Sequence, residues 1–180
     1  MPPFTKIADE LVQEGFRFTL NRVRYRADDG TEFDRDIVRH PGAVAVVPLH
    51  EDGTVTLVRQ FRAALDGDLL ELPAGLRDVS GEPDEQTAAR ELVEEAGLAA
   101  ERLEHVVTFH NSPGFCDETV GVFVATGLRA VADDRQGIEE QHLVVVRLPL
   151  QDALAMISDG RITDAKTIIG LTLVADRRSG

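Results

Sequence analysis

The chain has 180 residues, the length of one ordinary domain or of a small domain with an extension. Hydrophobic residues make up 43% and charged residues 28% of it, which is typical of a globular protein and excludes collagen-like, mucin-like and disordered chains. Its formal net charge of −13 repels polyanions, so we expect no binding to nucleic acid. No run without formal charge reaches the roughly 20 residues that a membrane-spanning helix needs, so we expect no membrane partner.

The start of the chain and its cysteine content predict a cytoplasmic protein. Lys6, Asp9, Glu10 and Glu14 leave no room for the apolar core of a signal peptide near the first residue. Cys116 is the single cysteine and cannot form an internal disulfide, which is typical of a reducing compartment.

The first part of the chain is rich in predicted strands. Turn signals at residues 27–30 and 51–53 predict two hairpins, because acidic residues followed by glycine favour tight turns. The predicted strands cover residues 16–25, 32–39, 43–49, 54–60 and 69–72. After them, Pro73-Ala74-Gly75 is interpreted as a break.

The clearest predicted helix begins near Pro83 and ends just before Gly97. Its apolar stripe at helical spacing consists of Ala88, Ala89, Leu92, Val93 and Ala96. Further strands are predicted over residues 103–109, 119–125 and 142–148, and further helices over 151–157 and 164–175. Strands on both sides of a helix, together with antiparallel hairpins, favour a mixed α/β (α+β) sandwich over a doubly wound parallel sheet.

The predicted helix and the loop before it are unusually acidic, with seven carboxylates between residues 78 and 95. Glu91 and Glu95 are four residues apart and share one helix face, while Glu94 points away from them. Two like charges at this spacing destabilise a helix by roughly 0.2–0.5 kcal/mol, and a divalent cation between them would reverse the sign. Mg²⁺ bound through one or two carboxylates fits this arrangement. The alternative is an ordinary solvated helix face.

The flanking residues favour the metal site. From Glu82 onwards the pattern E-x7-R-E-L-x-E-E-x-G-L resembles the Nudix box, G-x5-E-x7-R-E-U-x-E-E-x-G-U with U aliphatic, in every position after the first glycine. The matching residues are Glu82, Arg90, Glu91, Leu92, Glu94, Glu95, Gly97 and Leu98. Gly75 stands seven residues before Glu82 instead of six, which we interpret as one inserted loop residue.

The resemblance to the Nudix hydrolase family extends from about residue 42 to residue 175, and it implies a fold. We expect an α/β/α sandwich of mixed sheets over residues 42–180. Residues 1–41 resemble the antiparallel β extension through which family members form homodimers, with adenine held near the subunit interface. The residue that stacks on adenine is left open among Phe16, Phe18, Tyr25 and Phe33.

The segment Glu71-Leu72-Pro73-Ala74-Gly75 is similar to one found in the ADP-ribose pyrophosphatase branch of the family. The resemblance implies that the Ala74 carbonyl joins Glu91 and Glu95 as the main ligands of Mg²⁺, with Mn²⁺ as a substitute. It gives secondary ligand roles to Glu94 and Glu82. Arg90 would hold the glutamates in position through ion pairs.

The same branch carries a proline about sixteen residues after the box glycine, and Pro113 stands sixteen after Gly97. We therefore expect Pro113 and Gly114 to lie in the substrate-selecting loop, although Pro-Gly also makes ordinary turns. The attacking water needs a base from outside the box if the box glutamates hold metal. The resemblance implies Glu140, with Glu139 next, and the alternative is that both are solvated loop acids.

Two further residues are assigned to the substrate by resemblance. Arg62 would lie near the diphosphate or the terminal ribose, and Glu71 near a ribose hydroxyl, although either could belong to a surface ion pair. The resulting hypothesis is a Mg²⁺-dependent enzyme that hydrolyses ADP-ribose to AMP and ribose 5-phosphate. The alternatives are the same chemistry on another nucleotide sugar or dinucleotide, and a non-catalytic module that binds ADP-ribose.

Overall fold

A computed structural model of the chain describes residues 3–132 and 142–179. They form two compact units. The first unit contains the chain up to Gly42 together with His110–Thr119, and the second contains Ala43–Phe109 and the chain from Val120 onwards.

The first unit is built on an antiparallel sheet with the order β1-β2-β3. Its strands are β1 (Phe4–Glu14), β2 (Thr19–Ala27) and β3 (Glu32–Arg39). Three arginines of β2 face three acids of β3 in register and form cross-strand ion pairs, a pairing that stabilises a sheet face exposed to water. The pairs are Arg22–Asp36, Arg24–Asp34 and Arg26–Glu32.

The structure confirms the predicted strand at residues 32–39 and corrects the one before it. Residues 16–18 belong to a turn closed by the Gly15 N–H and the Phe18 carbonyl (2.9 Å), so β2 begins only at Thr19. Strand β1 was not predicted from the sequence. Its side chains are almost all exposed, so it lacks the apolar alternation that reveals a half-buried strand.

The segment after His110 joins this unit by hydrogen bonds to β3. The Val38 N–H donates to the Phe115 carbonyl (2.7 Å), and the Asp117 N–H donates to the Val38 carbonyl (3.1 Å). Arg39 adds an ion pair to Asp117 (3.0 Å). These bonds hold the Pro113 loop to the edge of the first unit's sheet.

The second unit has two main sheets, with the orders β7-β4-β10-β9 and β12-β5-β6, and a small sheet β11-β8. Strands β4 and β10 are parallel neighbours, and the other described pairings of this unit are antiparallel. The strands are β4 (Ala43–Pro48), β5 (Thr54–Arg62), β6 (Gly67–Glu71), β7 (Ala74–Leu76), β8 (Leu98–Ala99), β9 (Arg102–His110), β10 (Thr119–Thr126), β11 (Arg129–Ala130) and β12 (Val144–Pro149).

The core lies on both faces of the four-stranded sheet. Val44 and Val46 of β4 pack in one apolar cluster with Ala88 and Leu92 of helix α1 (Asp84–Ala96). Their neighbours along β4 point to the opposite face, as strand periodicity requires. There they enter a larger cluster with the second sheet and with helices α2 (Leu150–Ser158) and α3 (Ala165–Ser179). This layering confirms the predicted mixed α/β class.

Helix α1 begins and ends where the sequence predicts. Pro83 precedes it with extended backbone, and Gly97 follows it in the left-handed conformation (φ 63°), where glycine carries no steric penalty. The predicted apolar stripe is wrong in one respect. Ala89 is exposed, and the buried face instead includes Glu91 and Glu95.

The break predicted at residues 73–75 is confirmed at Pro73 and wrong after it, because Ala74–Leu76 form strand β7. Strand β6 pairs with β5 in one sheet, and β7 pairs with β4 in the other. Pro73 lies between the two strands, and its carbonyl accepts the N–H of Val46 (2.9 Å). The chain therefore changes sheets at Pro73.

Among the described residues, no helix combines the length and the apolar character that crossing a bilayer requires.

Gly170 of α3 packs closely against Leu72 and strand β4. A Cβ atom there would lie 2.8 Å from Leu72 Cδ1 and 3.0 Å from Val47 Cγ2. We expect Gly170→Val to lower the free energy of unfolding by about 1–3 kcal/mol, because overpacking strains a close-packed core. Denaturant unfolding measures this. Thr172→Val, at an exposed position of the same helix, is the control, and an equal loss there would contradict the packing argument.

Candidate active site

Two glutamates of one face of α1 form the centre of the candidate site. Glu91 and Glu95 are only 8% and 5% exposed, so the alternative of an ordinary solvated helix face is wrong for these two residues. The Ala74 N–H of β7 donates a hydrogen bond to Glu95 Oε2 (2.8 Å). Strand β7 thus comes within hydrogen-bonding distance of the buried glutamate face.

The environment of Glu95 disfavours its ionised form. Burial raises the pKa of Glu95 to about 8, and the neighbouring Glu91 acts in the same direction. The Ala74 N–H and the charges of Arg62 and Lys166 oppose this rise. A carboxylate with such a pKa gains from a bound cation, because the cation replaces the lost hydration of the charge.

The backbone of Gly75 lies directly against the Glu91 carboxylate. A Cβ atom at position 75 would be 1.9 Å from Glu91 Cδ and about as close to both carboxylate oxygens. No side chain fits there unless Glu91 moves. Glycine at position 75 is therefore what allows Glu91 to keep its buried position.

Arg90 joins the acidic residues of the box. Its Nη1 atom contacts Glu91 Oε1 (2.6 Å) and Glu94 Oε2 (3.0 Å). The prediction that Glu94 points away from Glu91 is therefore wrong. Its Nη2 atom contacts Glu82 Oε2 (3.4 Å), which also accepts the Thr87 hydroxyl (2.8 Å). Glu82 therefore faces the helix despite the longer loop after Gly75.

These residues fit a hard divalent cation in part. Within residues 3–132 and 142–179, no three His, Cys, Asp or Glu side chains form a cluster that could hold a metal by themselves. The oxygen atoms available on this face are those of two buried carboxylates, next to the strand that carries Ala74. Such a set suits Mg²⁺, which keeps several waters and takes substrate phosphate oxygens as further ligands.

Arg62 and Glu71 form a bidentate ion pair, with both distances 2.7 Å. Glu71 is only 1% exposed, and Lys166 of α3 contacts its Oε2 atom, which also accepts from Arg62 Nη2. Burial by itself would raise the pKa of Glu71, but Arg62 and Lys166 lower it below its ordinary value. Glu71 is therefore an ionised, paired carboxylate. The positive charge of Arg62 also interacts with Glu95.

The other predicted site residues lie in the first unit or outside the described residues. Pro113 and Gly114 belong to the first unit, where they line a cavity of about 360 Å³ together with Tyr25, Arg35 and other residues of that unit. Glu139 and Glu140 lie outside the described residues.

Three residues near the site were not predicted from the sequence: Asp164, Lys166 and Thr167, at the start of α3. Lys166 contacts Glu71 and Asp164, and Thr167 contacts Leu72. An Asp just ahead of an apolar helical run is a helix-start signal, but it does not indicate which distant strand the helix meets.

Comparison with known proteins agrees with this arrangement. Residues 39–169 match the family described as NUDIX domain. The chain is 39% identical over 171 residues to an ADP-ribose pyrophosphatase of Mycobacterium tuberculosis, covering 95% of this chain and 83% of the relative. It is 38% identical over 161 residues to an ADP-ribose pyrophosphatase of Bacillus subtilis, covering 89% and 86%.

A solved structure shows the same fold. The crystal structure of an ADP compounds hydrolase superposes with a TM-score of 0.86 at 24% identity, covering 100% of this chain and 96% of that one. This likeness confirms the fold that the Nudix resemblance implied.

The contact between Gly75 and Glu91 gives a test of the donor set. We expect Gly75→Ala to raise the Kd for Mn²⁺ by about tenfold or more. Loss of a group that positions a metal ligand usually lowers metal affinity by about 10–100-fold. Titration of free Mn²⁺ by electron paramagnetic resonance measures this. Gly67→Ala is the control, since its Cβ would meet only the Leu65 carbonyl at 3.8 Å. Unchanged affinity in Gly75→Ala would remove Glu91 from the donor set.

Proposed function

This chain belongs to the Nudix family, and we propose that it hydrolyses the diphosphate of ADP-ribose to AMP and ribose 5-phosphate. The observation that carries the proposal is the buried pair Glu91 and Glu95, held between Arg90 and the Ala74-Gly75 strand. The choice of ADP-ribose is supported by the identity of 38–39% to two ADP-ribose pyrophosphatases over most of the chain. A module that only binds nucleotide has no need of buried paired carboxylates.

We propose Mg²⁺ as the cofactor, with Mn²⁺ as a substitute, held by Glu91, Glu95 and the Ala74 carbonyl. When bound, it would neutralise diphosphate charge and lower the pKa of a water molecule. Arg90 keeps the Glu91 carboxylate in place through a charge-assisted hydrogen bond. Glu94 and Glu82, which contact the same guanidinium, are secondary candidates.

The remaining roles stay proposals that rest on resemblance. Glu140, with Glu139 next, would take the proton of the attacking water, and water would add across the P–O–P bridge to give the two phosphate monoesters. Arg62 would contact the diphosphate or ribose through donors that its pair with Glu71 leaves over. Pro113 and Gly114 would select the substrate.

We also propose that residues 42–180 are the catalytic domain, that residues 1–41 form a homodimer interface, and that the protein is cytoplasmic. The interface is supported by large apolar side chains exposed in this segment, since such patches mark interaction surfaces. They are Phe4, Ile7, Leu11, Val12, Phe16 and Phe18. We expect sedimentation of the wild-type protein to give the mass of two chains. The double variant Leu11→Glu/Phe16→Glu should give the mass of one chain. A wild-type monomer would contradict the proposal.

The function is tested with a panel of ADP-ribose, ADP-glucose, GDP-mannose, NADH and diadenosine polyphosphates, each with Mg²⁺ or EDTA. We expect AMP and ribose 5-phosphate from ADP-ribose alone, and no products with EDTA, separated by ion-exchange chromatography. Preference for another compound would keep the chemistry and reject the substrate. Tight ADP-ribose binding without products would favour the binding module.

A pair of variants in the same assay tests the metal site. We expect Glu95→Gln to lower kcat by about 100-fold or more with the fold intact, because loss of a positioned electrostatic group costs about 10²–10³ in rate. Glu85→Gln, exposed in the first turn of α1, is the matched control. Near wild-type turnover in Glu95→Gln would show that Glu95 is not a ligand.

A further inference from the structure

The first turn of helix α3 is hydrogen-bonded to the segment that carries Ala74. Thr167 is fully buried, and its Oγ1 accepts the N–H of Leu72 (2.8 Å). Leu72 stands two residues before Ala74, in the short stretch where the chain changes from one sheet to the other. One hydroxyl of the last helix therefore contacts this stretch directly.

The Thr167 hydroxyl is itself held in one orientation. Asp164 precedes α3 and accepts the Thr167 N–H (3.0 Å) and its hydroxyl (2.6 Å) on Oδ2. This is the hydrogen-bond pattern of a helix N-cap. Because the hydroxyl donates its proton to Asp164, its lone pairs are turned to the Leu72 N–H.

A second anchor lies one residue before Thr167. Lys166 contacts Asp164 Oδ1 (2.9 Å) and the buried Glu71, which also forms a bidentate ion pair with Arg62. Burying an ion pair costs free energy unless its charged groups are well hydrogen-bonded. A buried ion pair is therefore weak evidence for added stability. What these contacts do provide is a defined position for residues 71 and 72 relative to α3.

The other end of the same segment reaches the candidate metal site. Ala74 donates its N–H to Glu95 Oε2 (2.8 Å), and Gly75 lies against the Glu91 carboxylate. Between the two ends, the Pro73 carbonyl accepts the Val46 N–H (2.9 Å), and Pro73 has a restricted φ. A shift of the Leu72 backbone is therefore transmitted to Ala74, because Pro73 between them has little freedom to absorb it.

We propose that Thr167 is a positioning residue for the metal site, acting through Leu72 on the Ala74 carbonyl and on the Glu95 carboxylate. It contacts neither substrate nor metal in this role. The inference rests on the proposed metal site and names a residue outside the Nudix box that the site depends on.

The test compares Thr167→Val, which keeps the side-chain shape and removes the hydroxyl, with Thr167→Ser, which keeps the hydroxyl. Val174→Ala is the control, because it removes apolar volume from the same helix at a buried position of the core. Each protein is measured for Mn²⁺ affinity by electron paramagnetic resonance, for thermal unfolding, and for kcat well below its melting temperature.

We expect Thr167→Val to raise the Kd for Mn²⁺ by about tenfold or more, the usual effect of removing a group that orients a metal ligand. Thr167→Ser restores the affinity, and Val174→Ala keeps it although its melting temperature falls. A wild-type Kd in Thr167→Val, or an equal rise in Val174→Ala, would overturn the inference.

Mn²⁺ binding and hydrolysis separate this inference from the proposed function. If the wild-type protein binds Mn²⁺ but does not cleave ADP-ribose, the substrate assignment fails and the affinities of the variants still decide the role of Thr167. If the wild-type protein cleaves ADP-ribose and Thr167→Val binds Mn²⁺ normally, the function stands and the inference fails. Absence of Mn²⁺ binding by the wild-type protein would overturn the inference together with the metal site.

Discussion

Two carboxyl groups are buried on one face of a single helix, and much of the second unit is arranged around them. When ionised, Glu91 and Glu95 repel each other, and burial removes most of their hydration, so each needs a hydrogen-bonding partner. Arg90 supplies one from the same helix, and the Ala74 N–H supplies another from strand β7. The neighbouring positions of α1 carry the apolar contacts that keep the helix on the sheet while these charges are accommodated.

The change of sheets at Pro73 explains why the site lies where it does. Strand β6 ends with Glu71 in one sheet, and β7 begins with Ala74 in the other. At such a crossing the backbone leaves one ladder before it joins the next, so its polar groups are available to side chains. Thr167 and Glu95 take two of these groups, and Gly75 leaves the space that Glu91 fills. Side chains of α1 and α3 therefore contact the backbone of the same short segment, residues 71–75.

The agreement between predicted and observed elements follows the strength of the local signal. Residues 32–39 form β3 as predicted, and α1 lies between Pro83 and Gly97, because a turn or a special φ marks each boundary. Strand β1 is polar and exposed on nearly all its positions, so it has no alternation to detect. Residues 73–75 are predicted as a break, since proline and glycine interrupt regular structure. Only pairing with β4 makes residues 74–76 a strand.

The amino-acid sequence alone determined the register of the acidic helix, the spacing of Glu91 and Glu95 on one face, and the Nudix pattern around them, because these depend on residues close together in the chain. The resemblance to that pattern, rather than spacing alone, implied Arg90 as their partner. Tertiary structure decided that this face is buried, that Gly75 touches Glu91, and that Lys166 meets Glu71 across 95 positions. Contacts at such separation depend on the path of the whole chain, which no local spacing records.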